Sequence, residues 1–374
     1  MKHNTWAFAA RVVIKAALLF ALVNGLFAAL RPLDALGRLS LYNIIVPGRE
    51  RLPYGEDPAR AYNLSLNNLP AMLASHVVAR PKAEDELRVL LLGDSNTWGW
   101  RLQPAETLAG QINAAGLRGA DGQRIVAYNL GYPIMSLTKD LLLLDAVMDA
   151  QPDLIIWLVT LESFPREKQL FPPIVQNNPE RVRDLIARYG LALNAADPRF
   201  VTADFWGETL IGQRRAVADW LRLQLYGVSW AATGIDQHIP AEYTPRQSDF
   251  EPDASWQDYA EPVLLDGDAL AFDVLAAGAA RAGDVPLLII NEPMFISSGQ
   301  NSEIRYNAFY PRWAYDAYRE RLAAEAEARG WAYHDWWDAV PPAEFTDSPV
   351  HLTPAGSQQV AGMLGELILE MMDG

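Results

Sequence analysis

A serine lies where a predicted strand gives way to a predicted helix. Residues 87–100 read Leu-Arg-Val-Leu-Leu-Leu-Gly-Asp-Ser-Asn-Thr-Trp-Gly-Trp, and Ser95 follows an apolar run that ends at Gly93. In α/β folds this edge of the sheet binds ligands, and the N–H groups that begin the next helix can face a developing negative charge. A serine nucleophile in acyl transfer needs both a position where the substrate binds and N–H donors that stabilise the oxyanion. A simple turn serine is the alternative, and the residues His-Leu-Thr-Pro-Ala-Gly at 351–356 favour the catalytic interpretation.

The composition is that of a folded globular protein with an acidic surface. The 374 residues are 50% hydrophobic and 21% charged, which suits one large domain or one domain with an insertion. The formal net charge of −15 argues against nucleic acid as a partner, because its phosphates would be repelled. The chain has no Cys, which excludes disulfides and thiolate chemistry. The five His residues lack metal-binding spacing, so we predict no metal and no cofactor.

The amino-terminal segment predicts a membrane anchor. Residues 12–30 are apolar apart from Lys15 and Asn24, and about 19 residues just span a bilayer core. Three cations precede or begin this run and one follows it, which favours a cytoplasmic amino terminus with the rest of the chain outside the cytoplasm. We therefore predict residues 1–31 as an uncleaved single-pass anchor. A cleaved signal peptide and a buried core helix are the alternatives.

Strands and helices alternate in two separated stretches, residues 87–160 and 285–374. This alternation predicts a parallel sheet of about five strands with helices on both faces. Residues 32–86, rich in Pro, Asn and Arg, are predicted to form a membrane-proximal linker. Residues 161–284 interrupt the alternation and are predicted to be a mainly helical and irregular insertion near the site. The predicted strands are 88–92, 124–130, 153–159, 285–291 and 331–334.

Two further groups of side chains are interpreted as structural. Core packing is the favoured role for an apolar group in the insertion, with contact to a membrane or a partner as the alternative: Trp220, Leu221, Leu223, Leu225, Tyr226 and Trp230. Lys139 and Asp140 lie early in a predicted helix and are typical of a solvated face.

The two ends of the alternating pattern resemble a known family, the SGNH/GDSL hydrolase superfamily. Gly-Asp-Ser-Asn-Thr-Trp-Gly at 93–99 resembles its first motif block, and Tyr-Asn-Leu-Gly at 128–131 resembles the opening of its second. Asp-Ser-Pro-Val-His-Leu-Thr-Pro-Ala-Gly at 347–356 resembles its last block. The likeness covers residues 87–160 and 285–374, and it implies a flavodoxin-like three-layer α/β/α sandwich.

The resemblance also implies roles for a serine and a histidine. Ser95 matches the family's nucleophile and His351 its base, and an imidazole can take a proton from a hydroxyl near neutral pH. The family's acid lies three residues before the histidine, where this chain has Ser348. Asp347, one place earlier, is the predicted orienting acid if Pro349 bends the loop. Otherwise His351 works in a dyad.

The expected oxyanion site departs further from the family pattern. Glu162 occupies the place of a family Asn whose side chain donates to the oxyanion. An ionised carboxylate cannot donate a hydrogen bond and would repel the oxyanion. Three alternatives follow: Glu162 is protonated, its side chain points away, or another group serves as the donor. Asn291 is the candidate for that other group. The family's oxyanion glycine corresponds to Ile134, whose backbone N–H can still donate together with that of Ser95. Gly131, in the same block, is the remaining candidate.

These residues predict a serine esterase-type hydrolase of O-acyl esters. Within the family, the alternative is an O-acyltransferase on a cell-surface glycan that works with a multi-spanning membrane acyltransferase. From another class, the alternative is a non-catalytic binding or scaffold protein on the same fold. The predicted partners are an ester or acylated glycan substrate and, through the amino-terminal helix, the lipid bilayer.

Overall fold

Five short segments form the strands of one parallel sheet. They are β1 (Glu86–Leu92), β2 (Arg124–Asn129), β3 (Leu154–Val159), β4 (Leu287–Asn291) and β5 (Ala332–Asp335). Three of them, β1, β3 and β4, are mostly apolar. The computed structural model describes residues 5–46, 48–55, 66–233, 239, 241–265 and 267–373. Within them the strands pair in the order β2-β1-β3-β4-β5, all parallel. This is the flavodoxin-like order, so the predicted fold class is confirmed.

Helices connect these strands and flank the sheet. The first seven are α1 (Thr5–Leu30), α2 (Pro32–Leu36), α3 (Leu41–Ile45), α4 (Leu69–Ser75), α5 (Ser95–Trp98), α6 (Leu108–Ala115) and α7 (Leu137–Val147). The others are α8 (Pro173–Gln176), α9 (Pro179–Tyr189), α10 (Arg214–Thr233), α11 (Phe272–Ala282), α12 (Arg312–Arg329) and α13 (Pro354–Asp373).

Alternating side chains of β1 divide the core into two layers. Leu90 and Leu92 join a large core cluster with residues of α4, α7, α9, α11 and α12. Val89 and Leu91 point to the other face and pack with residues of α6 and α13. Because successive strand residues face opposite sides of a sheet, a strand that is apolar throughout needs helices on both faces. The three-layer sandwich follows.

The segment predicted to be a linker contributes to the larger core. Leu69, Met72 and Val78 are buried there, together with Leu52. Arg88, on β1 and 1% exposed, donates to the carbonyl oxygen of Val78 at 3.1 Å. The described part of residues 49–86 is therefore packed against the sheet rather than extended away from it.

The insertion carries helices α8, α9 and α10. α9 buries Val182, Leu185 and Ile186 in the larger core, and Leu223 of α10 also reaches that core. Residues 241–265 have no regular secondary structure, as the irregular sequence pattern predicts. α11, at the end of the insertion, packs beside α7 as one of the outer helices of the sandwich.

The amino-terminal helix α1 is mostly exposed and strongly apolar. The most apolar part of Trp6–Leu30 has a mean hydropathy of 2.2, and this stretch is long enough to cross a membrane. A signal sequence has the same length and composition. The helix touches the domain near its end, where Asn24 and Ala28 are buried.

Gly278 tests the packing between α11 and the sheet, and Gly362 on α13 is the comparison. A Cβ at Gly278 would lie 2.1 Å from Cζ3 of buried Trp157, whereas a Cβ at Gly362, on α13, would meet open space. We expect Gly278→Ala to lower the free energy of unfolding by about 1–3 kcal/mol through overpacking. Gly362→Ala should raise it by about 0.5–1 kcal/mol through helix propensity. Denaturant unfolding of the full chain in detergent measures both, and equal effects at the two sites would contradict this account of the packing.

Candidate active site

Ser95 begins a short helix directly after β1. Asp94 caps α5, and its Oδ1 accepts a hydrogen bond of 2.8 Å from the N–H of Asn96. Gly93 in this turn has φ +155°, and a Cβ there would lie 2.2 Å from Oγ1 of Thr97. The turn therefore requires glycine, and it places the Ser95 hydroxyl at the carboxyl edge of the sheet.

A chain of hydrogen bonds joins three of the residues selected from the sequence. Ser95 Oγ lies 2.9 Å from Nε2 of His351. The other ring nitrogen, Nδ1, lies 3.0 Å from Oδ1 of Asp347. With the proton on Nδ1, that nitrogen donates to Asp347 and Nε2 accepts from the Ser95 hydroxyl. The structure thus brings together residues that are 256 positions apart in the chain, in the geometry of a nucleophile, a base and an orienting acid.

The environment of Asp347 keeps its carboxylate ionised. Burial acts to raise the pKa of Asp347, but the hydrogen bond from His351, with a further one from Thr346, outweighs it and holds the pKa below the usual 3.8. The Thr346 hydroxyl donates to Oδ1 at 3.1 Å, and a guanidinium nitrogen of Arg101 lies 3.8 Å from Oδ2. An anionic Asp347 can stabilise the imidazolium that forms when His351 accepts a proton.

A tight loop explains the unusual spacing of the acid and the histidine. The Thr346 N–H donates to the His351 carbonyl oxygen at 2.8 Å, which closes the loop between them. Within it, Asp347 turns towards the imidazole. Ser348, at the family's acid position, instead accepts a 3.4 Å hydrogen bond from the N–H of Val350.

Aromatic and cationic neighbours of this chain escaped the sequence analysis. Trp100 stacks on the His351 ring with centroids 5.6 Å apart and planes at 22°, and it also contacts Tyr54 and Trp98. Arg101, beside Asp347, has φ +65°. Both residues follow Ser95 within six positions, and this closeness to the motif could have marked them as neighbours of the site.

Ile134 adopts a backbone conformation that its side chain disfavours. Its φ is +76°, and a β-branched residue there is a genuine outlier that costs about 1–3 kcal/mol. The Ile134 N–H and the Ser95 N–H make no hydrogen bond among the described residues.

Gly131 has a packing role in the structure. Its N–H donates to Oδ1 of Asn129 at 3.0 Å. A Cβ on Gly131 would lie 2.3 Å from the backbone nitrogen of Trp98. The glycine thus allows the loop after β2 to approach α5, and its N–H is already used.

Glu162 follows β3 at the start of the insertion, and it binds two other residues of the insertion. Its carboxylate pairs with the Lys168 ammonium and accepts a 2.8 Å hydrogen bond from Nε2 of Gln257. Its backbone N–H donates to the Tyr310 hydroxyl at 3.3 Å. The negative charge at the family's Asn position is thus paired with a cation.

Asn291 ends β4 inside a buried polar network. Its Nδ2 donates to Asp335 at 2.8 Å, and its Oδ1 accepts from the Tyr318 hydroxyl at 3.1 Å. Tyr315 donates to the same oxygen at 3.3 Å. Because the side chain is fully buried and bonded within this network, the structure does not bring it to the Ser95 hydroxyl.

Lys139 and Asp140 are buried behind the site, so the solvated face predicted for them is wrong. The Lys139 ammonium donates to the carbonyl oxygens of Gly93 at 2.8 Å and Tyr132 at 2.6 Å, and lies 2.8 Å from Asp140. Burial raises the pKa of Asp140 to about 6, although Lys139 opposes it. The lysine ties the loop after β1 to the loop after β2. Charge alone could not reveal this, because an early helical position is usually solvated.

Glu292 is a buried acid that the sequence analysis did not select. It is 1% exposed, and its Oε2 accepts a 3.0 Å hydrogen bond from Nδ2 of Asn96, next to Ser95. Burial, together with the nearby charge of Asp94, raises the pKa of Glu292 well above its usual value. Its position directly after a predicted strand was the available signal. Among the described residues no group of acids and histidines could hold a metal ion.

The raised pKa of Glu292 predicts a pH-dependent stability. Between the unfolded-state pKa, near 4.5, and the higher folded-state pKa, the folded chain holds more protons than the unfolded chain, so stability falls as pH rises. Glu292→Gln removes this titration. We expect the free energy of unfolding, measured with denaturant, to fall less between pH 5 and pH 8 in Glu292→Gln than in the wild type. The difference should be about 1.4 kcal/mol for each unit of pKa shift within this range.

Exposed Glu303 supplies the control for this measurement. Glu303→Gln should leave the pH profile of stability parallel to that of wild type. A parallel profile for Glu292→Gln as well would show that Glu292 does not titrate in this range.

Comparison with solved structures finds several that are similar to this chain at low identity. No protein-family model matches the sequence, and no curated protein matches it. An aryl esterase from M. smegmatis shares 13% identity and a TM-score of 0.34, over 75% of this chain and 97% of that one. A carbohydrate acetylesterase family member from Sinorhizobium meliloti shares 14% and 0.33, over 76% and 98%. A putative lipolytic protein of the G-D-S-L family from Desulfitobacterium hafniense shares 10% and 0.34, over 75% and 99%. The fold assignment itself rests on the sheet order.

Proposed function

We propose that this chain is a serine hydrolase of O-acyl esters, of the SGNH/GDSL type. The observation that carries the proposal is the hydrogen-bonded chain from Ser95 through His351 to Asp347 at the carboxyl edge of the sheet. A hydroxyl is a weak nucleophile at neutral pH, and a positioned imidazole is the usual means of activating it.

The mechanism proceeds in two acyl-transfer steps. Ser95 Oγ attacks the ester carbonyl carbon while His351 Nε2 takes its proton. The tetrahedral intermediate then collapses, and the leaving alcohol takes that proton from His351, which leaves an acyl group on Ser95. Water, deprotonated by His351, attacks the acyl-serine, and the carboxylic acid and free Ser95 are released. Asp347 holds the imidazole in the required tautomer throughout.

Backbone groups are proposed to stabilise the oxyanion. The Ser95 and Ile134 N–H groups have no partner among the described residues, and the strained φ of Ile134 is the kind of distortion found at functional sites. Glu162 does not serve as a donor in this proposal. Its pairing with Lys168 offsets the repulsion that a free carboxylate would exert on the oxyanion.

The chain is further proposed to act outside the cytoplasm on a single-pass anchor, residues 1–31. The catalytic domain comprises residues 87–160 and 285–374, and residues 161–284 form the insertion, whose Gln257 binds Glu162. The described part of residues 32–86 joins the anchor to this domain and packs against it.

Acyl transfer to a glycan hydroxyl is the second candidate function. It uses the same acyl-serine, which an alcohol rather than water would resolve, and the acyl group could come from a multi-spanning membrane acyltransferase. The exposed apolar helix α1, which suits a protein that works beside a membrane partner, favours this candidate.

Replacement of the nucleophile tests the enzymatic proposal. We expect Ser95→Ala to lower hydrolysis of p-nitrophenyl acetate by about 10⁴-fold or more and to abolish labelling by a fluorophosphonate probe. Ser348→Ala is the matched control, because Ser348 lies in the catalytic loop and its hydroxyl accepts a hydrogen bond from the N–H of Val350. Absence of labelling in folded wild-type protein would support the non-catalytic scaffold instead.

Replacement of the acid tests the triad. Asp347→Asn keeps the shape of the side chain but removes the charge that stabilises the imidazolium. We expect kcat for p-nitrophenyl acetate to fall by about 10²–10⁴-fold, less than for Ser95→Ala, with labelling slowed but present. An unchanged kcat in Asp347→Asn, together with a large loss of kcat in Ser348→Ala, would show that Asp347 is not the orienting residue.

The fate of the acyl group separates the two candidate functions. The purified protein is supplied with p-nitrophenyl acetate, with and without an oligosaccharide acceptor, and acetate and acetylated sugar are quantified. A hydrolase releases acetate at the same rate in both cases. Acetylated sugar formed faster than acetate would favour the transferase.

A further inference from the structure

One side of α10 stays exposed although it carries large apolar side chains. Leu221, Leu225 and Tyr226 are 43, 67 and 53% exposed. Arg215 and Arg222 share this exposed side, at the three- and four-residue spacing of one helical stripe. A helix that presents apolar and basic side chains together has the composition of a membrane-surface helix.

The loop before α10 extends the same surface. Phe205, Trp206 and Ile211 are 60, 73 and 49% exposed, and Trp in particular favours the boundary between lipid and water. We call these side chains together the apolar–basic face: Phe205, Trp206, Ile211, Arg215, Leu221, Arg222, Leu225 and Tyr226.

A hydrogen bond places this face beside the anchor helix. The Ile211 N–H donates to Oδ1 of Asn24 at 3.1 Å. Asn24 precedes Leu30, the last residue of α1, by six residues or about 9 Å. α1 has 26 residues, about 39 Å at 1.5 Å per residue, against a hydrocarbon core of about 30 Å. Ile211 therefore contacts α1 about 9 Å before the carboxyl end of the helix.

Neighbouring segments continue the apolar surface. The Leu41 N–H donates to Gln224 of α10 at 2.7 Å, and Ile44 and Ile45 of α3 are 74 and 62% exposed. The chain as a whole is acidic, with a net charge of −15, and an anionic leaflet would repel such a charge. Arg215 of the apolar–basic face suits such a leaflet, whereas the charge of Arg222 is paired with Asp219 at 3.1 Å.

We propose that the apolar–basic face lies in the interfacial layer of the bilayer, beside α1, so that the domain contacts lipid at a second place. This inference requires that α1 spans the bilayer, and it is independent of the proposed esterase activity. A second contact restricts the orientation of the domain relative to the membrane, which a single helix leaves free to rotate. The segment after α10 also reaches the site, because the Glu242 carbonyl oxygen accepts a 3.1 Å hydrogen bond from Arg101.

The absence of Cys from the chain allows a clean labelling experiment. Trp206→Cys and Leu225→Cys are labelled with the fluorophore NBD in the full chain, which is reconstituted in nanodiscs of phosphatidylcholine and phosphatidylglycerol. Leu26→Cys, within α1, reports on the span itself. Ala115→Cys, exposed on α6 at the opposite face of the sheet, is the matched negative control. Quenching is measured with lipids that carry a nitroxide near the headgroup.

We expect quenching at Trp206 and Leu225 to be several-fold greater than at Ala115. Equal quenching at these three positions, with strong quenching at Leu26, would overturn the second contact while leaving the anchor in place. Weak quenching at Leu26 would remove the premise itself, since α1 would then lie outside the bilayer. Neither result bears on the esterase assay.

Discussion

The carboxyl ends of parallel strands lie at one edge of a sheet, and the site depends on this constraint. The turn after β1 presents Ser95 at that edge, and the loop before α13 presents His351. The 2.9 Å contact between them therefore needs no long-range element of its own, only the correct order of strands. The same edge receives Ile134 from the loop after β2.

Buried polar side chains hold this edge in place. Lys139 joins the loops after β1 and β2, while Glu292 holds Asn96 beside the nucleophile. The paired charges of Lys139 and Asp140 contribute little net stability, yet removal of one partner of such a buried pair costs about 3–5 kcal/mol. Their value here is geometric, since a hydroxyl and an imidazole work together only when their separation is held within a few tenths of an ångström.

Strain and electrostatics are concentrated in the same place. Ile134 keeps a left-handed backbone where most residues would not, and the carboxylate of Asp347 is held anionic by His351 and Thr346. Trp100 covers one face of the imidazole and limits its contact with water. Such features weaken the fold locally, and the two packed core layers supply the stability that lets them persist.

The sequence by itself predicted the alternation of strands and helices and selected Ser95 and His351 as nucleophile and base, while the family resemblance implied the flavodoxin-like sheet. Whether Asp347 reaches the imidazole was left open by the sequence, and the tertiary structure places the two side chains 3.0 Å apart. Periodicity and turn residues are local properties, and a motif shows which residue types recur near strand ends. Only the tertiary structure decided that Lys139 is buried, that Glu162 pairs with Lys168, and that residues before β1 join the core. These outcomes depend on which distant segments meet, because a charged side chain can be buried only when a partner from elsewhere in the chain reaches it.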